Sequence, residues 1–178
     1  MFDESEEMEL AAELLSTSDE AELDHFFGKL FKRVARKVRR AVKSRKGGLL
    51  RGLLKRVAKK ALPIAGGIIG GPVGAGLARA GGRIFGLELE GLSPEDRDFE
   101  IARRVVRLSG DAAKNAAKPT TTGNAAKDAK IAVVKAAKKH APGLMRAGRS
   151  AMAMAGAVAT GRSGRWVRRG RKIVLMGI

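Results

Sequence analysis

The sequence predicts a mainly α protein with several amphipathic helices, a glycine-rich segment and a short C-terminal β-hairpin, and without one large compact core. Apolar residues recur at intervals of three and four in several segments, which is the period of one face of a helix. Aromatic residues make up only 4% of the 178 residues, so helix contacts through small residues are expected in place of a large core. Strand-forming residues near the C-terminus predict the hairpin.

The charge of the chain is the strongest functional signal. A formal net charge of +18 and an isoelectric point near 11.1 predict an anionic partner, either an anionic membrane surface or nucleic acid. Residues 1–24 hold ten acids and no bases, whereas residues 25–87 hold seventeen bases and no acids. Residues 88–110 are nearly balanced, and residues 111–178 hold fifteen bases and two acids. Because the chain has no cysteine, disulfide and thiolate chemistry are excluded.

Residues 1–24 form an acidic head. Its apolar residues recur at helical spacing and predict a short amphipathic helix. Thr17 and Glu20 have the spacing of a capping box, which predicts that a second helix starts there. An acidic N-terminus is the opposite of a secretory signal, so we expect a cytoplasmic protein or one exported by a non-standard route, with the compartment unknown.

Residues 25–62 predict two tandem cationic amphipathic helices. The first is expected to run to about Lys46, where Gly47 and Gly48 interrupt the pattern, and Pro63 ends the second. The expected anion- or lipid-binding residues are the Lys and Arg side chains of both helices: Lys29, Lys32, Arg33, Arg36, Lys37, Arg39, Arg40, Lys43, Arg51, Lys55, Arg56, Lys59 and Lys60. The expected membrane-inserting residues are large apolar side chains: Phe26, Phe27, Phe31, Leu50 and Leu54.

Residues 63–92 form a glycine-rich apolar segment. Gly66, Gly70 and Gly74 recur every four residues, which is the spacing of a glycine zipper. This spacing predicts self-association into a homo-oligomer, and a simple connector is the alternative.

The remainder of the chain predicts three further parts. Ser93 and Pro94 predict a capped helix over residues 93–110, followed by a linker over 111–124. Ala/Lys/Met helices are expected over 125–160 and a basic β-hairpin tail over 161–178. The tail carries a second basic patch: Arg165, Trp166, Arg168, Arg169, Arg171 and Lys172.

Catalytic and metal-binding patterns are weak in this sequence. His25 and His140 lie far apart and lack the spacing of metal ligands. The glycines do not form a nucleotide-binding loop, because the pattern that ends in Gly-Lys-Ser or Gly-Lys-Thr is absent. We therefore predict no catalytic residues, no metal and no cofactor.

Several stretches carry a resemblance to known sequences. MELAAELLSTSDEAELDHFFGKLFKR, the following KKALP, LSPEDRDFEIARR and the closing GRWVRRGRKIVLMGI resemble a family of uncharacterised bacterial proteins. The resemblance spans most of the chain. It implies a bacterial origin and a recurrent architecture, and it carries no functional residues across.

These observations predict a non-enzymatic cationic protein that associates with anionic membrane surfaces, oligomerises through the glycine zipper and carries an acidic head as a mask. The head is expected to pair with the basic helices of its own chain or of another copy. Sequence-independent nucleic-acid binding or compaction is one alternative. A structural or cargo subunit of a larger bacterial assembly is another.

Overall fold

The protein is mainly helical. The structure, a computed structural model, describes residues 2–39, 42, 44–62, 80–119, 122–146, 165–169 and 172–176. The chain divides into two compact units, Met1–Met145 and Arg146–Ile178. The helices of the first unit are α1 (Glu4–Leu15), α2 (Glu20–Val38), α3 (Ser44–Ala61), α4 (Pro94–Ala116) and α5 (Ala125–His140). Residues 80–85 and 142–146 are also helical.

The acidic head supplies the caps of the first two helices. Asp3 accepts a hydrogen bond from the Glu6 N–H at 2.8 Å, and the Glu6 carboxylate accepts one from the Asp3 N–H at 3.2 Å. This reciprocal capping box starts α1. At the start of α2, the Asp19 carboxylate accepts from the Glu22 N–H at 2.8 Å.

The capping box predicted between Thr17 and Glu20 is wrong. The Thr17 hydroxyl donates to the Leu14 carbonyl oxygen at 2.7 Å and so closes the end of α1. Asp19 takes the N-cap position because it lies directly before the first helical residue, where a carboxylate satisfies a free N–H. Glu20 is thereby released to contact α3.

The break between the two cationic helices lies before the predicted position. Arg39 has a φ of 51° and ends α2 at Val38, so the helix does not continue to Lys46. Gly47 and Gly48 lie inside α3 and do not interrupt it. Gly47 is buried, and a Cβ there would be at an ordinary contact distance, 3.7 Å, from the Val42 side chain.

The fourth helix starts at Pro94 but extends beyond the predicted end at Gly110. It continues to Ala116, so the first part of the predicted linker over 111–124 is helical. Gly110 is tolerated inside the helix because Phe2 packs over it: a Cβ there would lie 2.6 Å from Phe2 Cε2. Helix-forming residues follow the glycine, and the helix ends shortly before Pro119.

Helix α4 is the centre of the first unit, since it contacts each of the other four helices. The apolar stripe of α2 faces this core through Leu23, Phe27, Leu30 and Val34, all with no exposed surface. Helices α4 and α5 contact each other, and both bury several alanines, whose small side chains allow helices to approach closely. Those alanines are Ala112, Ala113, Ala116, Ala129, Ala132, Ala136 and Ala137.

The second unit contains strands β1 (Arg165–Arg169) and β2 (Lys172–Met176). They pair antiparallel, with Val167 opposite Val174. Gly66, Gly70 and Gly74 lie outside the described residues, as does the part of the predicted helical stretch beyond residue 146. Within the described part of the chain, no helix has the length and apolar character needed to cross a membrane.

Candidate anion-binding surfaces

Helices α1 and α2 are joined by a ladder of ion pairs. Lys29 Nζ lies 2.8 Å from Glu13, Arg33 Nη2 lies 2.8 Å from Glu9, and Lys37 pairs with Glu6. The acids recur every three or four residues along α1 and the bases every four along α2, so antiparallel helices bring them into register. The hydrogen bond from Arg33 lowers the pKa of Glu9.

A second ladder joins the start of α2 to the end of α3. Glu20 accepts hydrogen bonds from Lys59 at 2.6 Å and from Lys55 at 3.0 Å. Asp24 lies 3.2 Å from Lys55 and 3.9 Å from Arg51. The hydrogen bonds from Lys59 and Lys55 lower the pKa of Glu20 to about 2.

The third contact of the head is buried. Glu7 is only 5% exposed and accepts from Arg103 Nε at 2.9 Å and from Arg107 Nε at 2.6 Å, both on α4. A carboxylate removed from water in this way requires compensating charges, which the two guanidinium groups supply. Residues 1–24 therefore contact α2, α3 and α4 through ion pairs.

These ladders divide the predicted anion-binding residues into three groups. The residues paired with acids of the head are Lys29, Arg33, Lys37, Arg51, Lys55 and Lys59. The exposed residues that form no ion pair with another described residue are Lys32, Arg36, Arg39, Arg56 and Lys60. Arg40 and Lys43 lie outside the described residues.

Three of these cations lie towards the C-terminal end of α2. Lys32 and Arg36 are four residues apart, so their side chains share one side of the helix, about 6 Å apart along the axis. Arg39 is the exposed residue that ends the helix, with a φ of 51°. We call Lys32, Arg36 and Arg39 the α2 cationic face.

A groove between α2 and α3 adjoins that face. Its volume is about 480 Å³, and its lining residues are Asp24, His25, Gly28, Lys29, Lys32 and Arg51. Gly28 lies next to the Arg51 guanidinium, whose Nη2 would be at an ordinary contact distance, 3.8 Å, from a Cβ at that position. Arg51 Nε is shielded from solvent and has no hydrogen-bond acceptor among the described residues. Such a site offers donors suited to an oxyanion.

The predicted membrane-inserting residues occupy the protein core. Phe26, Phe27, Phe31, Leu50 and Leu54 are all buried, with Phe31 the most exposed at 8%. The rings of Phe26 and Phe27 meet edge to face at a centroid distance of 5.3 Å. In this conformation the five side chains contact protein and are not available to a lipid surface.

Sequence reasoning missed a charged pocket beside α4. Its lining residues are Phe2, Glu7, Arg104, Arg107, Asp111, Lys139 and His140. His140 Nε2 lies 2.8 Å from Asp111 Oδ2, and Lys139 Nζ lies 3.3 Å from the same oxygen. Burial would raise the pKa of Asp111, but the hydrogen bonds from His140 and Lys139 outweigh it and lower that pKa.

The spacing of three pocket residues along the sequence could have indicated this site, but the wrongly predicted end of α4 concealed it. Arg104, Arg107 and Asp111 have the spacing of one helix face, but the helix was predicted to end at Gly110, which placed Asp111 in a linker. His140 was treated as an isolated histidine for the same reason. Among the described residues, no group of three or more His, Cys, Asp or Glu side chains is placed to hold a metal ion.

The second basic patch lies in the second unit. Arg165, Trp166, Arg168 and Arg169 belong to β1 and Lys172 to β2, while Arg171 lies outside the described residues. The backbones of Arg169 and Lys172 are paired.

In comparisons with protein-family models, curated proteins and solved structures, nothing matched this chain. The functional argument therefore depends on the geometry of these surfaces.

Proposed function

We propose that this protein is a non-enzymatic polyanion-binding protein that holds the phosphate backbone of nucleic acid independently of base sequence. The observation that carries the proposal is the α2 cationic face: Lys32, Arg36 and Arg39 are exposed and pair with no carboxylate among the described residues, and Lys32 also lines the groove that contains Arg51. Duplex DNA presents about one negative charge per 1.7 Å of its axis. The spacing of about 6 Å between Lys32 and Arg36 therefore already covers more than one phosphate.

Burial of the large apolar residues favours nucleic-acid binding over membrane association. Insertion into a bilayer interface needs exposed apolar side chains beside the cations, and Phe26, Phe27 and Phe31 face the core instead. Binding through charge alone has no such requirement, because it is driven by the release of counterions.

An anionic membrane surface remains the second candidate because of one face of α5. Ile131 and Val134 are 37% and 39% exposed. Exposed lysines surround them on the same helix: Lys127, Lys130, Lys135 and Lys138. This combination is the pattern of an interfacial helix, although its apolar area is small.

The second unit supports the same polyanion proposal. Residues 146–178 contain eight bases and no acid, so we propose that a folded C-terminal hairpin adds a second set of phosphate contacts. We also propose that the chain as a whole does not form one large core. The division into two compact units supports that view.

Two further functional proposals are based on the sequence alone. Self-association through Gly66, Gly70 and Gly74 rests on their four-residue spacing. Membership of a larger bacterial assembly, as a structural or cargo subunit, rests on the separation of acidic and basic segments along the chain.

The proposal is tested by measuring duplex DNA binding of the full chain over a salt series. The variant Lys32→Gln, Arg36→Gln, Arg39→Gln removes the α2 cationic face. The matched control, Lys127→Gln, Lys130→Gln, Lys138→Gln, removes the same charge from exposed positions of α5. Each lost phosphate contact reduces the slope of log affinity against log salt by about 0.9.

We expect the α2 variant to lose a slope of between about 2 and 3 and the α5 variant to retain most of its binding. Equal losses in the two variants would show that net charge alone governs binding and would overturn the assignment to α2. A parallel series with anionic vesicles tests the second candidate: binding that resists salt and depends on Ile131 and Val134 would favour the membrane.

A further inference from the structure

We propose that the charged pocket beside α4 binds a small molecule that carries a phosphate or carboxylate group. The pocket lies inside the first unit, where α4 meets the start of α1 and the end of α5, and its volume is about 440 Å³. That volume falls within the range of small-molecule sites, roughly 300–1,000 Å³. The pocket is separate from the α2 cationic face, so the proposal does not rest on nucleic-acid binding.

Arg104 is the residue that points to an anionic ligand. Its neighbours Arg103 and Arg107 both bind Glu7, but Arg104 forms no ion pair with any described residue. Its Nε is shielded from solvent and has no acceptor within the described part of the chain. A buried charged donor without an acceptor is costly. An oxyanion supplies two acceptor oxygens that match the parallel N–H groups of a guanidinium.

The other cations of the pocket are already held in place. Glu7 fixes Arg107 through a hydrogen bond of 2.6 Å. Asp111 accepts from both His140 and Lys139. Side chains that are ordered before binding lose less entropy when the ligand arrives, so such an arrangement favours affinity.

The charge of the lining sets the charge of the ligand. Arg104, Arg107 and Lys139 supply three positive charges, and Glu7 and Asp111 supply two negative ones. A neutral His140 therefore leaves an excess of one positive charge, which a monoanion balances.

One wall of the pocket is apolar. Phe2 packs over α4 at Gly110, where a Cβ would lie 2.6 Å from Phe2 Cε2. Gly110 thus allows the ring to lie against the helix backbone at the edge of the pocket. An aromatic wall beside a cluster of cations suits a ligand with a nonpolar part and one anionic group.

The test uses the full chain and two simple probes, inorganic phosphate and succinate, each titrated at constant ionic strength. The Nε–H signals of the arginines are followed by NMR. We expect a saturable shift of the Arg104 signal, with the tighter-binding probe identifying the phosphate or the carboxylate class. Shifts that never saturate, or that affect only arginines outside the pocket, would overturn the proposal.

A pair of variants separates this pocket from general attraction to a basic protein. Arg104→Gln is expected to weaken probe binding by between about tenfold and a hundredfold, because it removes charged hydrogen bonds. The control Lys32→Gln removes the same charge from the α2 cationic face and is expected to change probe binding by less than about twofold. Equal effects would refute the pocket.

The same two variants distinguish failure of this inference from failure of the proposed function. Arg104→Gln is expected to retain duplex DNA binding, whereas Lys32→Gln is expected to weaken it. Circular dichroism establishes that each variant is folded. The titration of the unmodified chain decides the proposal without either variant, because the Arg104 signal reports binding directly.

Discussion

The buried carboxylate of Glu7 offers the sharpest test of how the acidic head is built into the fold. Glu7→Gln keeps the size of the side chain but removes its charge, leaving Arg103 and Arg107 without their shared anion. Breaking a buried ion pair by removing one partner costs about 3–5 kcal/mol. Arg107 retains 35% of its side-chain exposure and regains hydration, so we expect a loss of about 2–3 kcal/mol in the free energy of unfolding.

Glu9→Gln on the same helix is the matched control. The Glu9 side chain is 59% exposed where it pairs with Arg33, and an ion pair so open to solvent contributes little to stability. Urea denaturation followed by circular dichroism measures both variants. A loss below about 1 kcal/mol for Glu7→Gln, or equal losses for the two variants, would refute the view that α1 is anchored to α4 through this carboxylate.

Three further predictions concern the core, the pH dependence and the glycines. Phe27→Ala should lower the free energy of unfolding by about 3–5 kcal/mol, and a urea transition unchanged from that of the parent would contradict its place in the core. Glu20 has a pKa lowered from 4.5 to about 2, so its contribution is present above pH 4.5 and is lost as pH falls towards 2. Glu20→Gln should therefore destabilise the protein at pH 6 but not near pH 2, and an equal effect at both pH values would contradict this. Gly81→Ala should destabilise by about 1–3 kcal/mol, because its Cβ would lie 2.5 Å from the Ala61 carbonyl oxygen. Gly52→Ala, with nothing within 4 Å, should stabilise by about 0.5–1 kcal/mol, and thermal unfolding compares the two.

Apolar periodicity predicted much of the helical core correctly. The stripe through Leu23, Phe27, Leu30 and Val34 is fully buried, as a helix with one apolar face requires. Helix ends were less predictable at the glycines. Gly48 and Gly110 both lie inside helices, because the cost of a glycine in a helix is only about 1 kcal/mol. Tertiary packing, such as that of Phe2 on Gly110, is enough to offset it.

The charge pattern along the chain indicated attraction between segments but not which residues pair. Glu7 and Arg107 are 100 positions apart, and only the packing of α1 on α4 brings them together. Similarly, the partnership of His140 with Asp111 depends on α4 continuing past Gly110. Local sequence patterns cannot supply such contacts, because they arise from the arrangement of whole helices.

Because the acidic head also contributes to the core, its proposed masking of the basic surface cannot be tested by deleting it. Deleting residues 1–24 removes Leu10, Leu14 and Leu23 from the core together with the acids, so a change in binding would mix unfolding with unmasking. Glu9→Gln combined with Glu13→Gln removes one exposed and one partly exposed charge and leaves the core side chains in place.

If the head masks the basic surface, freeing Arg33 and Lys29 in this double variant should raise duplex DNA affinity at low salt. The salt slope should then steepen by about 1.8, since each added phosphate contact contributes about 0.9. Unchanged affinity in a folded double variant would mean that the head stabilises the helices and does not regulate them. The α2 cationic face would then be available to its partner at all times.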